Sequence, residues 1–311
     1  MRDDRHECPQ LGVLATTHYA LEATQCIRIL PHDKHGISSH VERAFGSGRE
    51  SALDLHIFDE RNRTMYSGEL TGKVALVVGA SSGIGEATAL GLAAEGARVA
   101  IAARRVKRLT DLAKRIHRCG GEALPIEADV TDEAQASAMV QRTVRELGRL
   151  DMLSNVAGVG VAAPFQNTTV AEYRQMVDVN ILGLLYAIHA ALPVMKRQGA
   201  GHIVIVSSGT GRYIHPSVVY SGTKHAASAM AESLRREVGQ DGIRVTCIEP
   251  GAVRTEFTTR MRADVREAVE RRLGDMEQLE SDDVAAAILY AVKQPRRVNV
   301  NILTLYPTQQ A

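Results

Sequence analysis

Residues 73–97 read KVALVVGASSGIGEATALGLAAEGA, and three kinds of segment follow one another there without a gap. Lys73 to Ala80 is a short, almost wholly apolar run, the pattern of a strand buried on both faces. Gly79, Gly83 and Gly85 then make a G-x-x-x-G-x-G loop that carries Ser81, Ser82 and Ile84. From Gly83 onward apolar residues recur at helical spacing, and Gly96 closes the run. One glycine lets the chain turn tightly, and another lets backbone approach a phosphate with no Cβ in the way. The N-terminus of the helix offers unpaired N–H groups and the positive end of its dipole to a pyrophosphate. A glycine triplet alone is a weak signal; set between an apolar strand and a helix it predicts a nucleotide-binding βα unit.

Outward from this unit, strands and helices alternate. Further strands are expected in RVAIAAR (98–104), EALPIEADV (122–130), LDMLSNVAG (150–158), GHIVIVSS (201–208), IRVTCIEPG (243–251) and VNVNILTLYP (298–307). Between them fall helical patterns at 106–121, 131–148, about 169–198, about 217–239, 254–273 and 281–294. That order predicts an α/β fold, a single Rossmann-type, doubly wound parallel sheet of about seven strands with helices on both faces. Right-handed crossovers put a nucleotide site at the C-terminal ends of the strands. The regular pattern fills 65–311 as one domain. Residues 1–64 hold six of the eleven histidines and lack sustained periodicity. They read as a disordered extension or a mis-assigned start, and His32, His35 and His40 as part of a solvated tail rather than a metal site.

Composition narrows the function. The net charge is +1, aromatic residues are 4% and tryptophan is absent, so neither nucleic acid nor an anionic membrane is an expected partner. The four cysteines show no CxxC or other metal spacing. No apolar run reaches the roughly 18 residues of a spanning helix. The charged start MRDDRHECPQLG has no apolar run behind it and is not a secretory signal. A cytoplasmic location is the expectation.

The end of the second strand selects a cofactor. A carboxylate there would accept the ribose 2′-hydroxyl of NAD. Here Ala102 and Ala103 are followed by Arg104 and Arg105. Guanidinium groups bind phosphate bidentately and keep their charge, so NADP(H) is favoured over NAD, its 2′-phosphate near Arg104, with Arg105 or Ser81 beside it. A second signal is VVYSGTKHA (218–226), which places Tyr220 and Lys224 on one face of a helix, one turn apart. An ammonium there favours phenolate and lowers a pKa ordinarily near 10. Asn180 adds a polar side chain within the apolar stretch VDVNILGLLYAIHAALPVM, where it needs a partner.

With these elements in place the chain resembles the short-chain dehydrogenase/reductase family over about residues 70–306. GASSGIG (79–85) resembles the family's cofactor loop, ADV with Asp129 and Val130 its acidic turn at the adenine ring, and NVAG (155–158) its N-N-A-G. Asn180, Ser208, and Tyr220 with Lys224 match the active-site asparagine, serine and Y-x-x-x-K pair. EPGAVRTEF (249–257) resembles the P-G-x-V-x-T segment, with Pro250, Gly251, Val253 and Thr255. The tail is similar to a subgroup of NADPH-dependent reductases that includes clavulanate-aldehyde reductase and serine or hydroxy-acid dehydrogenases. Three departures stand out: Val78 replaces the usual Thr, Ser154 and Val156 flank Asn155, and the serine lies one residue closer to Tyr220 than is common. Of Ser207 and Ser208, Ser208 is chosen as the second of the pair before the small-residue turn.

The resemblance implies an NADP(H)-dependent oxidoreductase acting on a carbonyl or alcohol of a small-to-medium molecule. Asn180, Ser208, Tyr220 and Lys224 would be catalytic. Gly79, Ser81, Ser82, Gly83, Ile84, Gly85, Arg104, Arg105, Asp129, Val130, Asn155, Ala157, Gly158, Tyr220, Lys224, Pro250, Gly251, Val253 and Thr255 would bind cofactor. Tyr220 would give or take the proton, Ser208 orient the substrate oxygen, Lys224 hold the nicotinamide ribose, and Thr255 the nicotinamide amide. Asn180 would lead through a water to Lys224. Glu256 and Phe257 open a segment expected to be a mobile lid. His215 would border substrate and His189 would be a packed or interface residue. The apolar breadth of 181–195 points to a homodimer or homotetramer. The alternative is an NADPH-binding regulatory or scaffold protein without turnover.

Overall fold

The computed structural model describes residues 68–310 apart from 162 and 260. The expectations for 1–64, including the histidine cluster, lie outside the described residues. Seven strands form one parallel sheet: β1 (Val74–Val78), β2 (Arg98–Ala103), β3 (Ala123–Glu127), β4 (Met152–Asn155), β5 (Gly201–Val206), β6 (Ile243–Pro250) and β7 (Ile302–Leu305). Their order is β3-β2-β1-β4-β5-β6-β7. The direction of winding reverses between β1 and β4, which opens a crevice above their C-terminal ends.

Nine α-helices pack around the sheet among the described residues: α1 (Gly83–Ala94), α2 (Val106–Arg118), α3 (Glu133–Leu147), α4 (Val170–Val177), α5 (Leu184–Gln198), α6 (Val218–Val238), α7 (Glu256–Thr259), α8 (Ala263–Leu273) and α9 (Ser281–Lys293). Strand alternation divides the core. Val74, Leu76 and Val78 of β1 face α3, α5 and α6, and share a cluster with Met139, Ile188 and Ala231. Ala75 and Val77 face α1, α2 and α9, and share one with Leu92, Leu109 and Ile288. An apolar strand is what burial on both faces requires. Side-chain caps fix the starts of α3 and α4. Asp132 accepts from Gln135 N at 3.0 Å ahead of α3, and Thr169 and Glu172 form a capping box at α4.

Three expectations change. The helix predicted over about 169–198 is helical throughout, but a π-helical turn, Asp178–Gly183, separates α4 from α5. The stretch Val170–Gln198 is also long and apolar enough, by length and composition alone, to cross a membrane, with mean hydropathy 1.6 over its best window. That corrects the reading that no run is long enough; Asp178, Asn180 and His189 interrupt the run without lowering its average below that of a spanning helix. In the fold this stretch lies on the sheet, with Leu184, Ala187, Ile188, Ala191 and Met195 in the core. The segment expected to be helical over 254–273 consists of α7 and α8. Val265 and Val269 of α8 join Ala163 and Met261 in a small satellite core.

Candidate active site

The glycine loop leaves β1 at Val78. Gly79 donates from its N–H to the Ala102 carbonyl at 2.8 Å, and the Val78 carbonyl accepts from Val156 and Ala157, each at 3.0 Å. These backbone bonds pin the turn where a threonine hydroxyl is missing. Gly79 has φ 88° and Gly83 φ 58°, left-handed conformations that favour glycine. A Cβ on Gly79 would lie 2.7 Å from Ala157 N, and one on Gly85 would lie 2.3 Å from the Gly79 carbonyl oxygen. The loop is therefore folded too tightly for side chains, and the N-terminus of α1 is open to a ligand. A cleft of ≈510 Å³ begins here and runs to Arg262. Gly79, Ser81, Ser82, Gly83, Ile84, Gly85, Arg104, Arg105, Asp129, Val130, Ala157, Gly158 and Thr255, all named from the sequence as candidate cofactor residues, line it. Pro250, Gly251 and Val253 are not among its lining residues. Gly251 instead donates to the Leu305 carbonyl at 2.7 Å, and Val253 bridges to Leu279, so these residues shape the chain that leads to Thr255.

The two arginines have different partners. Arg105, not Arg104, folds onto the loop: its Nη2 donates to Ser81 Oγ at 2.9 Å and to Ser82 Oγ at 2.7 Å, and its Nε to Ser81 Oγ at 3.1 Å. Arg104 lies 3.7 Å from Asp129, and both line the cleft. One guanidinium, two hydroxyls and no carboxylate at the end of β2 fit the 2′-phosphate of a dinucleotide. Glu256, at the start of α7, also approaches this cradle, 2.8 Å from Arg105 Nη1 and 3.3 Å from Arg108 Nη2. Partly exposed pairs of this kind contribute about 0.2–1 kcal/mol each, weak enough for a phosphate to displace.

Asn180 sits on the π-helical turn, a geometry often found at functional positions. Its Oδ1 accepts from Val159 N at 2.9 Å, and its Nδ2 donates to the Val159 carbonyl at 2.8 Å and to Thr223 Oγ1 at 3.1 Å. The polar group in the apolar helix thus finds its partners in the loop after β4 and on α6. A cavity of ≈10 Å³, room for about one water, is bounded by Asn155, Asn180 and Lys224. Asn155 Nδ2 is buried there without a hydrogen-bond partner among the described residues.

The adjacent serines part company. Ser207 Oγ turns away and donates to the Lys224 carbonyl at 2.9 Å. Ser208 Oγ accepts from Thr210 N at 3.2 Å and from Thr210 Oγ1 at 2.9 Å. Ser207 is thus committed to the Lys224 carbonyl, whereas Ser208, the serine chosen from the sequence, only accepts in these bonds. Lys224 is buried, and its Nζ donates to the Val206 carbonyl at 3.1 Å, 5.9 Å from the centre of the Tyr220 ring. Burial pushes its pKa down to about 8. Burial also pushes the Tyr220 phenol above its ordinary value, against the pull of hydrogen bonds with Ser208 and Thr210. The phenol is thus raised rather than lowered as expected, because desolvation outweighs the pull of the neighbouring hydroxyls.

Tyr220 does not line the main cleft. Gly160 and Phe257 do, and both touch it: the Phe257 ring lies 5.8 Å from the Tyr220 ring, and a Cβ on Gly160 would fall 2.7 Å from Tyr220 Cδ2 and 2.5 Å from Phe257 Cζ. His215 lies in the loop ahead of α6 against the Arg272 guanidinium; burial and that cation hold its pKa below the ordinary value. His189 is exposed on α5 rather than packed within the chain. Arg105's place on the loop, Glu256's on the arginine and the wall at Gly160 are features that the sequence reading missed.

Comparison with known proteins agrees with this geometry. Residues 73–266 match the family described as short chain dehydrogenase. An uncharacterized oxidoreductase of Staphylococcus aureus (strain USA300) is 37% identical over 239 residues, covering 76% of this chain and 98% of that protein. Glycine betaine reductase ATRR of Emericella nidulans is 38% identical over 247 residues; the match covers 78% of this chain but 19% of that much longer protein. Among solved structures, the closed form of serine dehydrogenase complexed with NADP+ superposes with a TM-score of 0.72 at 29% identity, covering 76% of this chain and 96% of that one.

Proposed function

Because this chain belongs to the short chain dehydrogenase family, we propose that it is an NADP(H)-dependent oxidoreductase that interconverts a carbonyl and a primary or secondary alcohol on a small-to-medium molecule. Tyr220 is its general acid and base, and it works in the cytoplasm as a homodimer or homotetramer. The observation that carries this reading is the position of Tyr220: its ring backs onto Gly160 in the wall of the cleft that starts at the glycine loop, one turn of α6 from the buried Lys224.

NADPH, when bound, supplies the hydride, and NADP+ accepts it in the reverse direction. The glycine loop and the N-terminus of α1 hold the pyrophosphate, and Arg105 with Ser81 and Ser82 holds the 2′-phosphate. As negative charge develops on the substrate oxygen, Tyr220 gives it a proton, and in oxidation takes one back. Ser208 donates a hydrogen bond to the same oxygen and fixes its place. The Lys224 ammonium has three N–H bonds, of which one reaches the Val206 carbonyl, so it can also hold the ribose. A water between Asn180 and Lys224 would return the proton from solvent; the cavity there supports that step.

The test is a panel of aldehydes and ketones with NADPH, followed by nicotinamide absorbance. The expected result is turnover by the wild-type protein, and a loss of at least about 100-fold in Tyr220→Phe with NADPH binding retained. Full activity in that variant would end the assignment.

A further inference from the structure

One short segment touches three parts of the site. The Thr255 side chain lies against the glycine loop, 3.2 Å from where a Cβ on Gly83 would stand. Glu256 bonds Arg105 and Arg108. Phe257 packs on Tyr220 and stands, with Gly160, between that ring and the cleft. Resting on the reading that NADP(H) is the cofactor, we propose that Glu256 is a latch: its carboxylate holds the arginine that the 2′-phosphate takes, and so keeps Phe257 over Tyr220 until that phosphate displaces it.

The charges make the exchange directional. Arg105 spends Nε and Nη2 on Ser81 and Ser82 and turns Nη1 to Glu256. A phosphate seated against the two hydroxyls meets the same guanidinium edge. A phosphate monoester carries about −1.5 to −2 at neutral pH, more than a carboxylate, and two anions on one guanidinium repel. Glu256 and Arg105 side chains are each 35% exposed, so the carboxylate has water to turn into. Glu256 is the first residue of α7, a helix of four residues, and Phe257 is the second. Losing the Arg105 pair, the shorter of the two at 2.8 Å against 3.3 Å for Arg108, therefore loosens the backbone that positions the phenyl ring. NADH carries a hydroxyl in place of this phosphate and has no charge to drive the exchange. Glu256 thus makes the opening of the wall beside Tyr220 depend on which dinucleotide is bound.

The test uses adenosine 2′,5′-bisphosphate and AMP, which lack the nicotinamide and so cannot push the segment aside. Amide hydrogen exchange of residues 255–259 is followed in the full chain at saturating ligand. The bisphosphate should speed exchange and AMP should not. In Glu256→Gln exchange should be fast without ligand, and the bisphosphate should bind about fivefold tighter, since one partly exposed ion pair no longer competes, with AMP affinity unchanged. If the bisphosphate binds much more tightly than AMP yet exchange is unaltered, or if Glu256→Gln matches wild type in both measurements, the latch is wrong and the cofactor reading stands. If the bisphosphate binds no better than AMP, the NADP(H) reading fails and the latch with it.

Discussion

Lys224 donates from Nζ to the Val206 carbonyl at 3.1 Å from a buried position, and its pKa of about 8 is the consequence of that burial. The sequence supplies the residue pair and its spacing. It does not supply the desolvation, which depends on Gly158, Asn180 and Val206 arriving from distant parts of the chain. His202 shows the same effect away from the site. Its Nε2 lies 2.8 Å from Thr246 Oγ1, and that hydroxyl spends its own proton on the Val300 carbonyl at 2.7 Å. Nε2 therefore carries the imidazole proton, and Nδ1 is buried without a partner among the described residues. Burial, with the Arg244 cation adding to it, holds the pKa well below 6.5. In the unfolded chain His202 binds a proton as pH falls through 6.5, whereas in the fold it does not. The unfolded state then binds more protons, so stability present above 6.5 is lost as the pH drops. Urea unfolding between pH 7.5 and 5 should show this decline, with a shallower one in His202→Gln, whose amide keeps a donor for Thr246 and does not titrate. Identical slopes in the two proteins would show that His202 takes no part.

At the scale of elements, one substitution should have opposite effects at two glycines. Gly85, in the first turn of α1, has no room for a Cβ, because the Gly79 carbonyl oxygen would stand 2.3 Å away and backbone cannot step aside cheaply. Gly222, between Tyr220 and Lys224 in α6, has nothing within 4 Å of the same position. Gly85→Ala should lower the unfolding temperature and weaken NADPH binding together. Gly222→Ala should raise stability by roughly 0.5–1 kcal/mol, the cost of a glycine inside a helix, and leave binding alone. A destabilised Gly222→Ala would mean that α6 has a neighbour on that side. Most elements were legible because a strand buried on both faces reads as an unbroken apolar run, as VALVV and GHIVIV do. The π-helical turn at Asn180 was not, since one extra residue per turn leaves the apolar pattern of 169–198 nearly unchanged. Nor was the assignment of Arg105 to Ser81 legible: adjacent arginines at a strand end point to different sides, and local sequence does not say which side faces the loop.

For the whole molecule, apart from Tyr213, Ile214 and Val218 around the start of α6, two groups of exposed apolar side chains lie on separate layers of the fold. Val170, Val177, Leu182 and Leu185 lie along the helical stretch on one layer, and just 39% of its most apolar window is buried within the chain. Tyr290 of α9, with Val298 and Ile302 by the edge strand β7, lies on the other layer and at the end of the sheet. Patches of this kind on a protein surface mark contacts, and an unpaired edge strand invites one. A closed dimer uses one self-complementary face; two independent faces of that type generate a tetramer with dihedral symmetry. The proposed oligomer is therefore expected to be a tetramer, made of pairs joined by the α4–α5 face and joined again at α9 and β7. Light scattering coupled to size exclusion should give four chains for wild type. Leu185→Glu should leave dimers held by the second face, Ile302→Glu dimers held by the first, and the double variant monomers. A wild-type monomer would refute both faces, and a wild-type dimer that only one of the two variants splits would assign the contact to that face alone. Tyr220 and the glycine loop belong to neither patch, so each dimeric variant should still bind NADPH, which separates loss of assembly from loss of fold.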